Sequence, residues 1–172
     1  TSGGPTIVTS TDHGSLSSVT DNGDGTYTVT LTSSTTTATA HLTVTLDGSS
    51  VASSATVAFT PGAVNAGHST VSASPATLTA DGSSTSTVTV RAKDVNDNQL
   101  TAGGATVALG TDRGSLSPVT DNGDGTYTAT LTSSTTAGTA HVTGTLNGSA
   151  LTGVDVAFVP GTANAAHTTI TA

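Results

Sequence analysis

The stretch that decides the fold is residues 119–132, Val-Thr-Asp-Asn-Gly-Asp-Gly-Thr-Tyr-Thr-Ala-Thr-Leu-Thr. Its second half alternates. Tyr127, Ala129 and Leu131 fall on one side of an extended chain, and Thr126, Thr128 and Thr130 fall on the other. A period of 2 is that of a β-strand, and β-branched Thr suits a pleated, hydrated face. The first half, Asp121–Gly125, is turn chemistry: Gly reaches positive φ at little cost, and Asp and Asn bond to nearby backbone.

The same alternation recurs outward from this point. Val88, Val90 and Ala92 oppose Thr87, Thr89 and Arg91. Ala140, Val142, Gly144 and Leu146 oppose Thr139, His141, Thr143 and Thr145. Val154, Val156 and Phe158 oppose Asp155 and Ala157. Runs of strong helix formers and a 3.6-residue apolar period are both missing. Turn signals separate the runs at Asp81-Gly82, Asn96–Asn98, Gly103-Gly104 and Asn147-Gly148. The spacing predicts about seven strands, at 70–79, 84–94, 104–110, 115–119, 125–133, 138–146 and 150–159. One apolar and one Thr-rich face per strand is the pattern of antiparallel sheets with a solvated side. Seven short strands in a unit of this size predict an all-β, immunoglobulin-like β-sandwich.

The deciding stretch also occurs twice. Val19–Tyr27 repeats unchanged at Val119–Tyr127, and residues 1–50 align with 101–150 without a gap at 35 of 50 identical positions. Somewhere after Ser149 one residue is lost and the offset becomes 99, so Phe59 matches Phe158, His68 matches His167 and Val71 matches Ile170. A period near 100 residues is domain-sized and too long for a solenoid turn. Thr1 aligns with Thr101, inside the unit, and residues 71–100 have no earlier counterpart. The expected organisation is a partial unit at 1–62 that lacks its first strands, a linker at 63–69, a complete unit at 70–160 and the start of a further unit at 161–172. Units of this kind are expected end to end.

Composition narrows the function. The 172 residues carry 3 Lys plus Arg against 11 Asp plus Glu, a formal charge of −8, and every acid is Asp. Three cations cannot form a phosphate-neutralising face, which excludes nucleic acid as a partner. Without Cys there is no disulfide framework and no Cys-based zinc or redox site. No apolar run is long enough for a transmembrane helix, so no membrane insertion is expected; no basic start leads into an apolar signal core, so any signal peptide is expected to have been cleaved or to lie outside this stretch. Thr and Ser exceed a third of the chain and aromatics are 2 %. That composition borders on disorder, but 33 % hydrophobic residues with mean hydropathy +0.05, placed in register, oppose it.

From Val71 to Gly161 the chain resembles the bacterial immunoglobulin-like domains of the invasin and intimin group. The resemblance is carried by Ser74-Pro75 and Leu78, Asp81-Gly82, Val88, Val90, Lys93-Asp94 and Asn98. Gly114-Ser115-Leu116, Gly123–Thr128, Gly138-Thr139-Ala140 and Val154–Gly161 complete it. Residues 1–62 match the later part of the same pattern. The resemblance implies tandem spacer domains of surface adhesins, or domains of filaments, phage fibres and secreted enzymes.

Candidate sites are few. Asp21 and Asp24, with Asp121 and Asp124, offer closely spaced oxygens for calcium. The EF-hand pattern ends in Glu, which this chain lacks, and the glycines equally suit a plain turn. Asp94, Asp97 and Asp12 or Asp112 would complete a calcium site only if their loops converge. No other cofactor is expected. His13, His41, His68, His141 and His167 lack zinc-triad spacing. There is no G-x-S-x-G elbow and no recognisable Ser-His-Asp set, so no enzymatic activity is expected. Lys93 reads as a surface residue. Asn147-Gly148-Ser149 fits a glycosylation sequon and equally a hairpin turn. In the linker, Pro61 stiffens the exit and Gly62 permits a turn, while Pro61, Val64 and His68 are expected to touch the neighbouring unit.

The leading expectation is a structural repeat of an extracellular or cell-surface protein, acting as rod, stalk or filament body of an adhesin-like fibre. Alternatives are a module that binds a glycan or receptor directly, and a non-catalytic appendage of a secreted enzyme. The partners expected are neighbouring immunoglobulin-like units. The phase of residues 1–62 admits two explanations: residues 1–172 are a window of a longer array of near-identical units, or the unpaired edges of the partial unit are completed by strands from another copy.

Overall fold

The structure, a computed structural model, describes residues 4–164. The further unit expected from 161 onward lies, with His167 and all but its first four residues, outside the described residues. The chain divides into two compact units, Thr1–Pro61 and Gly62–Ala172. No helix occurs among the described residues.

The first unit holds eight strands: β1 (Ile7–Thr11), β2 (Ser15–Leu16), β3 (Thr20–Asp21), β4 (Tyr27–Thr28), β5 (Leu31–Thr32), β6 (Ala38–Leu46), β7 (Ser49–Ser50) and β8 (Ala55–Phe59). The second holds β9 (Thr70–Ser74), β10 (Thr77–Thr79), β11 (Thr85–Arg91), β12 (Val107–Thr111) and β13 (Ser115–Leu116), followed by β14 (Thr120–Asp121), β15 (Thr126–Thr132), β16 (Gly138–Leu146), β17 (Ser149–Ala150) and β18 (Val154–Val159).

The second unit is the predicted sandwich. One sheet runs β10-β18-β16-β12 with β17 on β16, and the other runs β13-β15-β11-β9 with β14 on β15. Val88 and Leu131 from one sheet meet Leu78, Val142, Val156 and Phe158 from the other in a buried cluster. Val90, Ala92, Tyr127, Leu146 and Leu151 form a second cluster toward one end. The alternation read from the sequence is the burial pattern found: Val88, Val90, Leu131, Ala140, Val142 and Val156 are fully buried. Each large apolar side chain so placed contributes about 1.5–3 kcal/mol.

The segment expected as one strand over 70–79 is two. β9 pairs antiparallel with β11, while β10 pairs parallel with β18 in the opposite sheet. Pro75 sits between them and has no N–H for a ladder, so the chain leaves one sheet there and joins the other. The expected strand at 150–159 likewise divides into β17 and β18. Gly153 lies between them, where an added Cβ would come 2.4 Å from the Val142 carbonyl oxygen.

The first unit repeats this plan without counterparts of β9, β10 and β11. Its main sheet is β1-β6-β7 with β8 on β6. The remainder is two separate pairs, β2 with β5 and β3 with β4. In the second unit the equivalent residues Thr126–Thr132 form one continuous strand, paired at every position with β11. The sequences differ at one of these seven residues, Val29 against Ala129. The partner strand, not the local sequence, therefore makes the ladder continuous.

Candidate functional site

The two acidic turns are built alike. Asp21 Oδ1 accepts the Gly23 N–H at 2.9 Å, and Asp121 Oδ1 accepts that of Gly123 at 2.9 Å. Asp24 Oδ1 accepts the Thr26 N–H at 2.9 Å and its hydroxyl at 2.6 Å, and Asp124 repeats both contacts with Thr126. Those bonds, the hydroxyl first, hold both Asp24 and Asp124 below the usual carboxylate pKa. Gly23 and Gly25 have φ of 75° and 90°, which the turn requires. Asp121 also reaches out of its turn, its Oδ2 accepting the Gly104 N–H at 2.7 Å. The carboxylates thus close the turns. Among the described residues no three His, Cys, Asp or Glu side chains gather as a metal site.

The junction segment is organised by one residue. Asp94 is 2 % exposed. Its Oδ2 accepts the Gly62 N–H at 2.8 Å and the Asn98 amide at 2.9 Å, and its Oδ1 accepts the N–H groups of Asn96 at 2.9 Å and Asn98 at 3.0 Å. The Asn98 amide, then the Gly62 N–H, lower its pKa to about 2. Val64 bridges Asp94 and packs against the cluster of Val90, Ala92 and Tyr127. Asn65 donates its N–H to the Lys93 carbonyl at 2.7 Å. The stretch 63–69, expected as a linker, is therefore folded onto the second unit. Val64 is partly buried against that unit's own core. His68 faces Asp97 at 3.2 Å, and Lys93 Nζ lies 4.0 Å from the same carboxylate. Pro61 is the last residue of the first unit.

Asp81 plays a similar part at the opposite turn. It accepts the N–H groups of Ser83 and Ser84 at 2.8 and 2.7 Å and the Ser84 hydroxyl at 2.7 Å. The backbone bonds, that of Ser84 foremost, press its pKa far below the ordinary carboxylate value. Ser133 adds a hydroxyl from across the sheet at 3.1 Å, tying β15 to the β10–β11 turn.

Two of the histidines, His41 on β6 and His141 on β16, stand on polar strand faces, each with a carboxylate. The backbone N–H groups of His41 and His141 donate to Asp12 and Asp112, both at 2.7 Å. The rings part company: His41 Nδ1 meets Asp12 at 2.8 Å, whereas His141 Nδ1 meets Asp155 at 2.7 Å. These pairs are isolated and exposed.

The uncovered interior of the first unit is its most distinctive surface. Leu46, Val51 and Val57 are 41, 43 and 42 % exposed, while their counterparts Leu146, Leu151 and Val156 are at most 8 % exposed. A hollow of about 230 Å³ opens among Ile7, Val19, Tyr27, Val29 and Val44. The buried Tyr127 hydroxyl accepts the Ala105 N–H at 2.9 Å. Tyr27 has Pro5 at the matching position, which carries no N–H.

The family model described as "Invasin, domain 3" matches residues 1–62 and 65–161. The chain belongs to this invasin domain family. The solved structure of InvD from Yersinia pseudotuberculosis is 28 % identical over 98 % of this chain and 51 % of that one, with a TM-score of 0.62. The Escherichia coli adhesin FdeC is 27 % identical over 93 % of this chain and 52 % of that one, with a TM-score of 0.64. Invasin, described as a bacterial integrin-binding protein, is 30 % identical over 90 % of this chain and 32 % of its own, with a TM-score of 0.52. The chain spans about half the length of the first two and about a third of the last. These relatives are adhesin domains, which bears out the invasin and intimin resemblance and the immunoglobulin-like class. None of them supports an enzymatic activity for this invasin-type chain.

Sequence reasoning placed the turns but missed Asp94 and Asp81 as buried or bridging acceptors. Asp94 carried a partial signal, since Asp-x-Asn-x-Asn at 94–98 is loop-closing chemistry. The reach from Asp94 to Gly62 is long-range and left no local trace.

Proposed function

We propose that this chain is a structural spacer of a bacterial surface adhesin, a stalk segment that carries a binding domain away from the cell. Membership of the invasin domain family supports a surface adhesin. The observation that favours stalk over binding face is that the polar groups most suited to a site are engaged within their own unit. Asp81, Asp94, Asp121 and Asp124 accept backbone N–H groups, and the outer strand faces are Thr and Ser. The two Tyr face the interior phase of their strands, and a recognition surface is ordinarily anchored on exposed aromatic or Arg side chains. A near-identical repeat extends reach without adding new chemistry.

The test is binding by the purified chain to a glycan array and to integrin-bearing cells. The stalk reading expects no saturable binding in either. Saturable binding to one glycan class or to the cells would overturn it in favour of a recognition module.

A further inference from the structure

We propose that the free edge of β12 in the second unit is a side-by-side contact, and that its occupant is the β12 edge of a second copy of this chain, paired antiparallel about a twofold axis at Leu109. β12 (Val107–Thr111) is the last strand of the sheet β10-β18-β16-β12, so only one of its sides is taken, by β16. Two bonds fix which backbone groups face outward. The Leu151 N–H donates to the Gly144 carbonyl at 2.9 Å, so Gly144 turns its backbone toward β17 and β18 and away from β12. The Asn147 N–H donates to the Thr106 carbonyl at 2.8 Å. These directions alternate along an antiparallel pair. Ala108 and Gly110 therefore face β16, while Val107, Leu109 and Thr111 point their N–H and C=O groups out of the sheet.

Three observations point to this occupant. The first is symmetry. A twofold axis at Leu109 sets Val107 opposite Thr111 and Leu109 opposite its own copy, so every outward group meets an outward group. Three such residue pairs exchange about six hydrogen bonds. The second is the lack of guards. Sheet edges are ordinarily blunted by charge, Pro or shortness. No charged residue and no Pro occurs from Thr101 to Thr111. The unit's other edges are blunted: β9 runs into Pro75, β10 is three residues long between Pro75 and Asp81, and β13 and β14 have two residues each. The third is cover. Val107 and Leu109 pack against the core yet are only half-buried, and a strand laid beside them shields them further. On the outer face Ala108 and Gly110 are too small to screen the edge, and a Cβ added at Gly110 would meet nothing within 4 Å. β1 is the equivalent edge of the first unit, with the larger Val8 and Ser10 at these places.

The proposal does not depend on the stalk reading, because edge pairing would hold for a binding module as well. The experiment follows amide hydrogen exchange of the full chain, residue by residue. It compares concentrations of about 10 μM and about 1 mM, since so small an interface is expected to be weak. The expected result is exchange slowed several-fold at the higher concentration at Val107, Leu109 and Thr111. Ala108 and Gly110, already bonded to β16, should not change. Reading each residue keeps any pairing at β1 separate. Each copy carries a formal charge of −8, so the pairing should also strengthen as salt screens the repulsion. Exchange at β12 that ignores concentration, or slowing that does not alternate along the strand, would overturn the proposal.

A second arm separates the edge from general association. Gly110→Lys places a cation on the edge, a device that keeps sheet edges apart. It also reduces the net negative charge, which by itself would ease association. The expected result is loss of the slowed exchange at Val107, Leu109 and Thr111, with exchange at 126–132 unchanged as the mark of a folded unit. Gly110→Ala, which adds bulk without charge, should keep the slowed exchange. Equal behaviour of the two variants would overturn the proposal independently.

Discussion

Asp94 and Gly62 lie 32 positions apart in sequence and are joined by a 2.8 Å hydrogen bond, backbone N–H to buried carboxylate. This bond fixes where the chain enters the second unit, and the same carboxylate closes the 94–98 loop. Asp94→Ala leaves the N–H groups of Gly62, Asn96 and Asn98 without their acceptor, and unpaired buried donors are costly. The expected order of melting temperature is wild type, then Asp94→Asn, then Asp94→Ala, with the loss read in the second unit by amide exchange. Acid sharpens the test. The depressed pKa means that Asp94 contributes its full stability above its ordinary value of 3.8 and loses it as pH falls through about 2. The gap between wild type and Asp94→Ala should close over that window. A gap independent of pH would exclude the carboxylate as its cause.

Leu131 and Leu31 are the same residue in two environments. Leu131 is fully buried between the sheets, and Leu31 is half-buried in a unit without β11. Leu131→Ala should cost about 2–5 kcal/mol, the range for a fully packed leucine, and Leu31→Ala distinctly less. Because two units need not unfold together, each cost is to be read by residue-resolved amide exchange in denaturant. Equal costs would mean that the first unit's interior is covered.

These cases show what the sequence made legible. Period-2 alternation located the inner face of every long strand, since burial follows pleat phase and pleat phase is local. The Asn-Gly and Asp-Gly turns were legible for the same reason. Three features were not. The division of 70–79 between two sheets depends on which partners flank Pro75. The continuity of 126–132 depends on β11, as the near-identical 26–32 demonstrates by breaking. The role of Asp94 depends on a chain segment thirty residues earlier. All three are set by long-range pairing, which leaves no mark on neighbouring residues. At the candidate site, the acidic turns were found from spacing, but their carboxylates' acceptors' duties emerged only from geometry.

His141 offers a pH test. Its ring bonds Asp155, and that bond, followed by the charges of Asp155 and Asp112, raises its pKa above 6.5, against opposing desolvation and then the charge of Arg113. A raised pKa means that the pair's contribution is complete below 6.5 and is lost as pH rises through the folded value. The pair is exposed, so its effect on stability should be small. Asp155→Thr installs the residue that the first unit carries at Thr56. The C–H proton resonances of His141 should then titrate nearer 6.5. An unmoved titration would show that Asp112 alone sets the value.

Asn147 and Asp47 occupy the same turn in the two units. Each has positive φ, 49° and 50°, and each is followed by a Gly at φ 81° and 80°. Each side chain also accepts the backbone N–H of the strand opposite: Thr106 to Asn147 Oδ1 at 2.8 Å, and Thr6 to Asp47 Oδ1 at 2.7 Å. The turn needs a residue that tolerates left-handed backbone and offers one oxygen, and Asn and Asp both do so. Asn147→Asp keeps both the acceptor oxygen and the tolerance of positive φ, so it should change stability by no more than about 0.5 kcal/mol. Asn147→Val should cost about 1–3 kcal/mol, because a β-branched residue is strained at positive φ and the Thr106 N–H loses its acceptor. Thermal melts of the two variants check the pair. A large loss in Asn147→Asp would show that the first unit's turn is not equivalent to the second's, despite matching dihedrals.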